Sequence, residues 1–226
     1  MSENWKLSPS DLTFLWDECQ RCFYLKVRHN FSRPATAFPK VFNTIDLLMK
    51  EIYLGQSTKK ISDALPEGRS ILSGSRVTSL PFRSPNHSNT CYISGMFDTL
   101  VKFDDGTYGI VDFKTTAPAD HHVAFYSRQL HAYAYALEHA APGSLSYKPI
   151  SRMGLLCFNP SAMIEEPLTQ LNLNGPVDWL EVPLEREGFE KFLDEVLTLL
   201  ELPEAPEPSP DCAFCAYRAA ARNTSF

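Results

Sequence analysis

The sequence predicts an α/β fold, a small mixed sheet with helices on its faces. Three observations carry this. A strand–turn–strand pattern spans Cys91 to Lys114, and a helical stretch follows over residues 120–139. An apolar strand, Arg152–Phe158, then precedes an amphipathic helix, Glu185–Leu200. Strands interleaved with helices pack helix against sheet rather than sheet against sheet. At 226 residues the chain can bury one sizeable core, so a single domain over residues 1–226 is expected.

The elements follow in order. Ser8-Pro-Ser-Asp is a helix start, with capping residues ahead of Leu12, Phe14, Leu15 and Trp16. That helix is expected to run through Cys19 and Cys22 towards Val27. A second helix is expected from Pro39 to Leu54, its buried stripe made by Val41, Ile45, Leu48 and Ile52. Asn43, Asp46 and Lys50 fall on another face, and Gly55 can end the helix. Residues 56–90, rich in Ser, Pro and Gly, read as loops with short strands. Asp104-Asp105-Gly106 is the turn between the two strands of 91–114. The helix of 120–139 carries Leu130, Ala134 and Leu137. A further strand is expected at Trp179–Leu184, and the last helix presents Phe189, Phe192, Leu193, Val196 and Leu200. Pro203–Pro210 is an acidic, Pro-rich connector, and no internal repeat is present.

Composition is that of a soluble globular protein, 44% hydrophobic and 21% charged. The start has no basic segment followed by an apolar run, and no stretch is long and apolar enough for a bilayer. A cytoplasmic protein without a membrane is therefore expected. In that compartment cysteines stay reduced, so paired cysteines point to metal rather than disulfides. Net charge is −6, which does not advertise a nucleic-acid binder. Its distribution is more informative. Between Glu18 and Asp46 there is no acid, while Arg21, Lys26, Arg28, Arg33 and Lys40 lie there; Glu165–Glu204 holds eleven acids. A polyanion would meet the basic N-terminal half, with Arg21, Lys26 and Arg28 as candidate nucleic-acid contacts.

The chemistry concentrates in three short elements: Gly95-Met-Phe-Asp98, Asp112-Phe-Lys114 and Gln129-Leu-His-Ala-Tyr133. Residues two apart in a strand share a face, so Asp112 and Lys114 point the same way and Phe113 points opposite. The hairpin register decides whether Asp98 joins them. A two-residue loop would turn Asp98 away. A three-residue loop with Gly106 in the left-handed conformation pairs Phe103 with Thr107 and hence Asp98 with Asp112. The two carboxylates would then be cross-strand neighbours, with Cβ atoms about 4.5–5.5 Å apart. Like charges so placed call for a cation, and hard oxygen ligands suit Mg²⁺ or Mn²⁺. The plain alternative is a hairpin with a surface Asp–Lys pair.

Gly-x-x-Asp, then Asp-x-Lys on the next strand, then Gln-x-x-x-Tyr on the following helix resembles the signature of RecB-like nucleases of the PD-(D/E)XK superfamily. The resemblance implies that superfamily's restriction-endonuclease-like core, with residues 91–140 as the catalytic hairpin and helix. It implies Asp98 and Asp112 as metal ligands, with the Phe113 carbonyl as a further one. Lys114 would orient water or stabilise phosphate charge, and Gln129 and Tyr133 would help to hold the substrate backbone. Many members use an acid or a His on an early helix as another ligand. Pro39–Leu54 has no His, which leaves Asp46 as the nearest candidate and Asn43 as a poorer one, against a surface pair of Asp46 with Lys50.

Cys19-x-x-Cys22 and Cys212-x-x-Cys215 suggest a four-thiolate site for an iron–sulfur cluster or zinc. It would clasp segments 8–30 and 205–220 together. Cys19-Gln-Arg-Cys-Phe-Tyr-Leu and Cys212-Ala-Phe-Cys215-Ala-Tyr-Arg resemble the terminal segments of the CRISPR-associated exonucleases called Cas-four. Those carry one cysteine near the N-terminus and three near the C-terminus. Here the third C-terminal position falls near Ala221, and Cys22 restores the count to four; two plus two suits zinc equally well. Cys91 and Cys157 read as core residues. His121 and His122 read as exposed helix-start residues, with His131 off the Gln-x-x-x-Tyr face. Tyr24, Phe31, Phe38 and Phe82 are aromatics of the basic regions that could stack on bases or serve the core.

Two functions from different classes follow. One is a metal-dependent nuclease, an exonuclease or end-processing enzyme acting on DNA with exposed single strands, alone or with protein partners in DNA processing. The other is a catalytically inactive nucleic-acid-binding or assembly module that keeps the fold and the cysteine clasp. A thiol redox protein is a third reading, which leaves the Asp-x-Lys hairpin unexplained.

Overall fold

The computed structural model describes residues 2–35, 37–166 and 169–222. Its centre is a six-stranded mixed sheet. A short strand β1 (Asn4–Leu7) is followed by a π-helical turn (Asp11–Leu15), α1 (Trp16–Glu18), α2 (Gln20–His29) and α3 (Lys40–Tyr53). Then come β2 (Gly68–Thr78), β3 (Thr90–Phe103), β4 (Tyr108–Thr115) and α4 (Asp120–Glu138). The chain continues through β5 (Ile150–Phe158), β6 (Ala162–Glu166), β7 (Gln170–Asn174), β8 (Val177–Glu181), α5 (Arg186–Leu200) and α6 (Ala213–Arg222). The sheet order is β1-β3-β4-β5-β8 with β2 also on β3, while β6 and β7 form a separate hairpin. The β4–β5 pair is parallel, joined by the α4 crossover, and β3–β4 and β5–β8 are antiparallel.

Helices cover both faces of the sheet. On one, α4 and α5 bury Leu130, Leu137, Phe189 and Leu193 against Leu100, Ile110 and Leu155. On the other, Met49 and Tyr53 of α3 pack with Val101, Phe103, Val111 and Phe113. The alternation of strand residues between two layers is what the period-two pattern of β4 dictates.

Three expectations are corrected here. The region 56–90 holds loops, as expected, but its strand is long rather than short: β2 is eleven residues long and pairs with β3 from Gly68↔Phe103 to Thr78↔Ser94. Its Ser and Gly content hides a strand that gains its order from pairing. The N-terminal helix is not continuous, because Cys19 is extended (φ −167°, ψ 104°) and breaks it between α1 and α2. Finally, Val41, Leu48 and Ile52 of α3 are largely exposed, and the buried residues are Met49 and Tyr53. This helix is apolar on more than one face, so the sheet layer beneath it, not periodicity, selects the buried stripe.

Candidate active site

The hairpin turns as its sequence demands. Phe103 donates to the Thr107 carbonyl at 2.9 Å, Gly106 donates back to the Phe103 carbonyl at 3.0 Å, and Gly106 adopts φ +88°. The register runs Lys102↔Tyr108 to Thr99↔Val111 and then stops. One step further, the Asp98 carboxylate replaces the backbone, its Oδ2 accepting the Phe113 N–H at 2.8 Å. On its other side, Asp98 is likewise skipped in the β2–β3 pairing, where Gly74 holds φ +56° and Ser73 Oγ donates to the Asp98 carbonyl. Backbone pairing is thus interrupted on both sides of β3 at Asp98, whose carboxylate turns towards β4. Such local irregularity is a common way to re-aim a functional side chain.

Into this gap come groups from three elements. Asp112 and Lys114 of β4 form an ion pair, and the Lys114 ammonium also sits 4.4 Å above the Tyr126 ring of α4. Gln129 donates through Nε2 to Asp112 Oδ1 (3.4 Å) and to the Tyr133 hydroxyl (3.3 Å), one helical turn away. Tyr133 packs edge-on against Phe97. Gly95 explains itself: a Cβ there would lie 2.6 Å from Pro9 Cδ and 3.2 Å from the Tyr133 ring. From α3, Lys50 Nζ bridges Asp46 Oδ2 (2.6 Å) and Asp98 Oδ1 (2.8 Å). The i, i+4 pair of Asp46 and Lys50 therefore exists, yet it faces the carboxylates. Lys50 was not singled out from sequence; its signal was the Asn43–Asp46–Lys50 face of one helix.

Together these residues line an open cleft of about 570 Å³ that includes Asp46, Asp98, Asp112, Phe113, Lys114, Gln129 and Tyr133. Its mouth carries Phe14, Phe38, Phe42 and Met96. Burial raises the Asp112 carboxyl to about 7; the Lys114 ammonium opposes this and the Asp98 carboxylate reinforces it. Burial works to lower the Lys114 ammonium, but Asp112 and Asp98 hold it above the ordinary lysine range. Burial lifts the Tyr133 phenol above the ordinary tyrosine range. The donor set suits a hard divalent cation: carboxylates converging on one cleft, beside a Gln129 Oε1 that is buried without a hydrogen-bond partner.

The basic residues of α2 all have partners within the chain. Arg21 donates to the Pro206 carbonyl (2.8 Å), and Arg28 to the Tyr24 hydroxyl (2.7 Å) and the Leu200 carbonyl (2.9 Å). Lys26 pairs with Asp11 at 2.7 Å. None of them lines the cleft. Arg21 and Arg28 staple α2 to residues 200–206, and Lys26 ties it to the turn before α1, roles that a count of charges cannot distinguish from polyanion binding. His131 is also structural, with Nδ1 bonded to the Ser127 carbonyl (2.8 Å) and Nε2 accepting the Glu185 N–H (2.8 Å).

Cys19, Cys22, Cys212 and Cys215 are buried, and their four sulfurs lie within 4.8 Å of one another. Cys91 and Cys157 are fully buried in the sheet. No helix among the described residues is long and apolar enough to cross a membrane.

A family model for the PD-(D/E)XK nuclease superfamily matches residues 63–220. No curated protein matches the chain. Among solved structures, the crystal structure of SSO0001 is similar over 95% of this chain and 84% of that one, with a TM-score of 0.51 and 13% identity. That likeness concerns the fold alone.

Proposed function

The chain belongs to the PD-(D/E)XK nuclease superfamily, and from that premise we propose that it is a Mg²⁺- or Mn²⁺-dependent nuclease of the RecB-like, Cas-four-like kind. In this reading it hydrolyses DNA phosphodiester bonds as an exonuclease or end-processing enzyme. The observation that carries the reading is the convergence of Asp98, Asp112, Lys114, Gln129 and Tyr133 on one cleft. Asp98, Asp112 and the Phe113 carbonyl, with Asp46 beside them, would hold the cation. When bound, that ion supplies charge neutralisation on the phosphate and a water of lowered pKa. Lys114, fixed between Asp112 and the Tyr126 ring, orients the attacking water and faces the phosphate oxygens. Gln129 and Tyr133 brace each other and hold the substrate backbone at the cleft floor.

The mouth of the cleft supports an exposed strand as substrate. Phe14, Phe38, Phe42 and Met96 remain solvent-accessible there, offering apolar faces on which unpaired bases stack. The cations at the cleft, Lys114 in its lining and Lys50 behind Asp46 and Asp98, are already paired. A duplex would hide its bases and find little positive charge.

Labelled single- and double-stranded DNA incubated with Mn²⁺ tests this. Cleavage should fall about 100-fold or more in Asp112→Ala and in Lys114→Ala, with folding intact. Wild-type cleavage by Asp112→Ala would sink the assignment. One observation favours the second reading, an inactive binding or assembly module: the Lys50 ammonium already bridges Asp46 and Asp98. In an active enzyme Lys50 yields to the metal, and Lys50→Met lowers the Mn²⁺ concentration needed for cleavage. In an inactive module the same change only destabilises the fold.

A further inference from the structure

The sequence leaves an iron–sulfur cluster and zinc equally open at the four cysteines, and the spacing of the sulfurs separates the two. Sulfur–sulfur separations are 3.5 Å for Cys22–Cys215, 3.7 Å for Cys22–Cys212 and 3.9 Å for Cys19–Cys215, and no pair exceeds 4.8 Å. Four thiolates around one ion at a Zn–S distance of about 2.3 Å stand about 3.8 Å apart in a tetrahedron. A cubane distributes its four thiolates over four irons, and a two-iron cluster divides them into two separated pairs. Each demands wider spacing than this. The separations are also far too long for a disulfide bond, and all four cysteines are free.

We propose that Cys19, Cys22, Cys212 and Cys215 bind a single tetrahedral zinc ion and not an iron–sulfur cluster, with Arg33 as the residue that compensates the charge of the thiolates. This stands independently of the nuclease reading, since none of Cys19, Cys22, Arg33, Cys212 and Cys215 lines the cleft of the catalytic carboxylates. Four thiolates on a divalent ion leave two negative charges in a buried place. The Arg33 guanidinium sits against them, its Nη2 3.5 Å from Cys212 Sγ. It is fixed there by an ion pair with Glu18 and by stacking 4.6 Å from the Phe214 ring. The backbone N–H groups of Ser209 and Cys22 serve the Cys19 sulfur in the same way. Hydrogen bonds of this kind to ligating sulfurs set both affinity and orientation.

The test is the metal content and visible spectrum of the full chain, purified without oxygen. About one zinc per chain with no visible charge-transfer band is expected, and cobalt substituted for zinc should give the intense bands of a tetrahedral thiolate site. Stoichiometric iron and sulfide with a brown absorption would overturn the proposal, as would a metal-free protein whose thiol count reveals disulfides. Because a cysteine variant risks failing to fold, Arg33→Met is the second probe. It should stay folded and lose zinc to a competing chelator about 10- to 100-fold more readily. Unchanged retention would remove Arg33 from the site.

Discussion

Asp112 is held in a balance that a metal would tip. Its carboxyl is raised to about 7, chiefly by burial, with Lys114 opposing and Asp98 reinforcing. An unfolded aspartate titrates near about 3.9. The folded state therefore prefers the proton, so this group's contribution to stability is complete below the unfolded value and is lost as pH rises through about 7. A divalent cation binds the ionised carboxylate and must displace that proton. Mn²⁺ should accordingly raise Tm little at about pH 5.5 and clearly more at about pH 8. An equal rise at both would mean that the cation does not bind through Asp112. At this scale much was legible beforehand. Gly106 sets the three-residue loop, which carries the register to Thr99↔Val111. The last step was not legible: the Asp98 side chain, not its backbone, meets β4. Nor was Lys50, whose reach to Asp98 depends on how α3 is rotated.

Helix α3 shows why elements are read less securely than motifs. Val41, Phe42, Ile45, Leu48, Met49, Ile52 and Tyr53 mark more than one apolar stripe, and periodicity alone cannot rank them. Phe113 and Val111 below select Met49 and Tyr53, which turns Asp46 and Lys50 into the cleft and leaves Val41, Leu48 and Ile52 outside. The same rotation puts Phe42 at the cleft mouth, its ring 5.6 Å from that of Phe38. If these rings hold unpaired bases, Phe38→Ala and Phe42→Ala should each weaken single-stranded DNA binding. Stacking worth about 1–3 kcal/mol per base corresponds to roughly 5- to 150-fold. Anisotropy with an Asp112→Asn background separates binding from cleavage. An abasic strand of equal length keeps the phosphates and should bind these variants and their parent alike; if the abasic strand loses affinity too, the rings act through something other than bases.

Across the whole molecule, the match to the superfamily begins at residue 63, while α3 with Asp46 and Lys50, and two of the four cysteines, precede it. The N-terminal segment therefore has to be fastened to the sheet that it completes. Phe23 and Tyr24 of α2 are buried, and Arg21 and Arg28 hold the carbonyls of residues 200–206. With the proposed ion bound, the four cysteines would tie α2 to the start of α6 across about 190 residues of chain. A metal clasp that closes so long a loop limits the freedom of the unfolded chain. The sheet and α4, however, bury Leu100, Ile110, Leu130 and Leu155 completely, in a core that reaches well beyond the cysteines. Removal of the ion by a chelator should thus loosen the ends before the middle. Hydrogen exchange should speed up at α6, at residues 203–212 and at the Cys19–Cys22 turn, while β3, β4 and α4 keep their protection. Loss of protection everywhere at once would mean that the clasp and the sheet form one cooperative unit, and that the cleft exists only while the cysteines hold their ion.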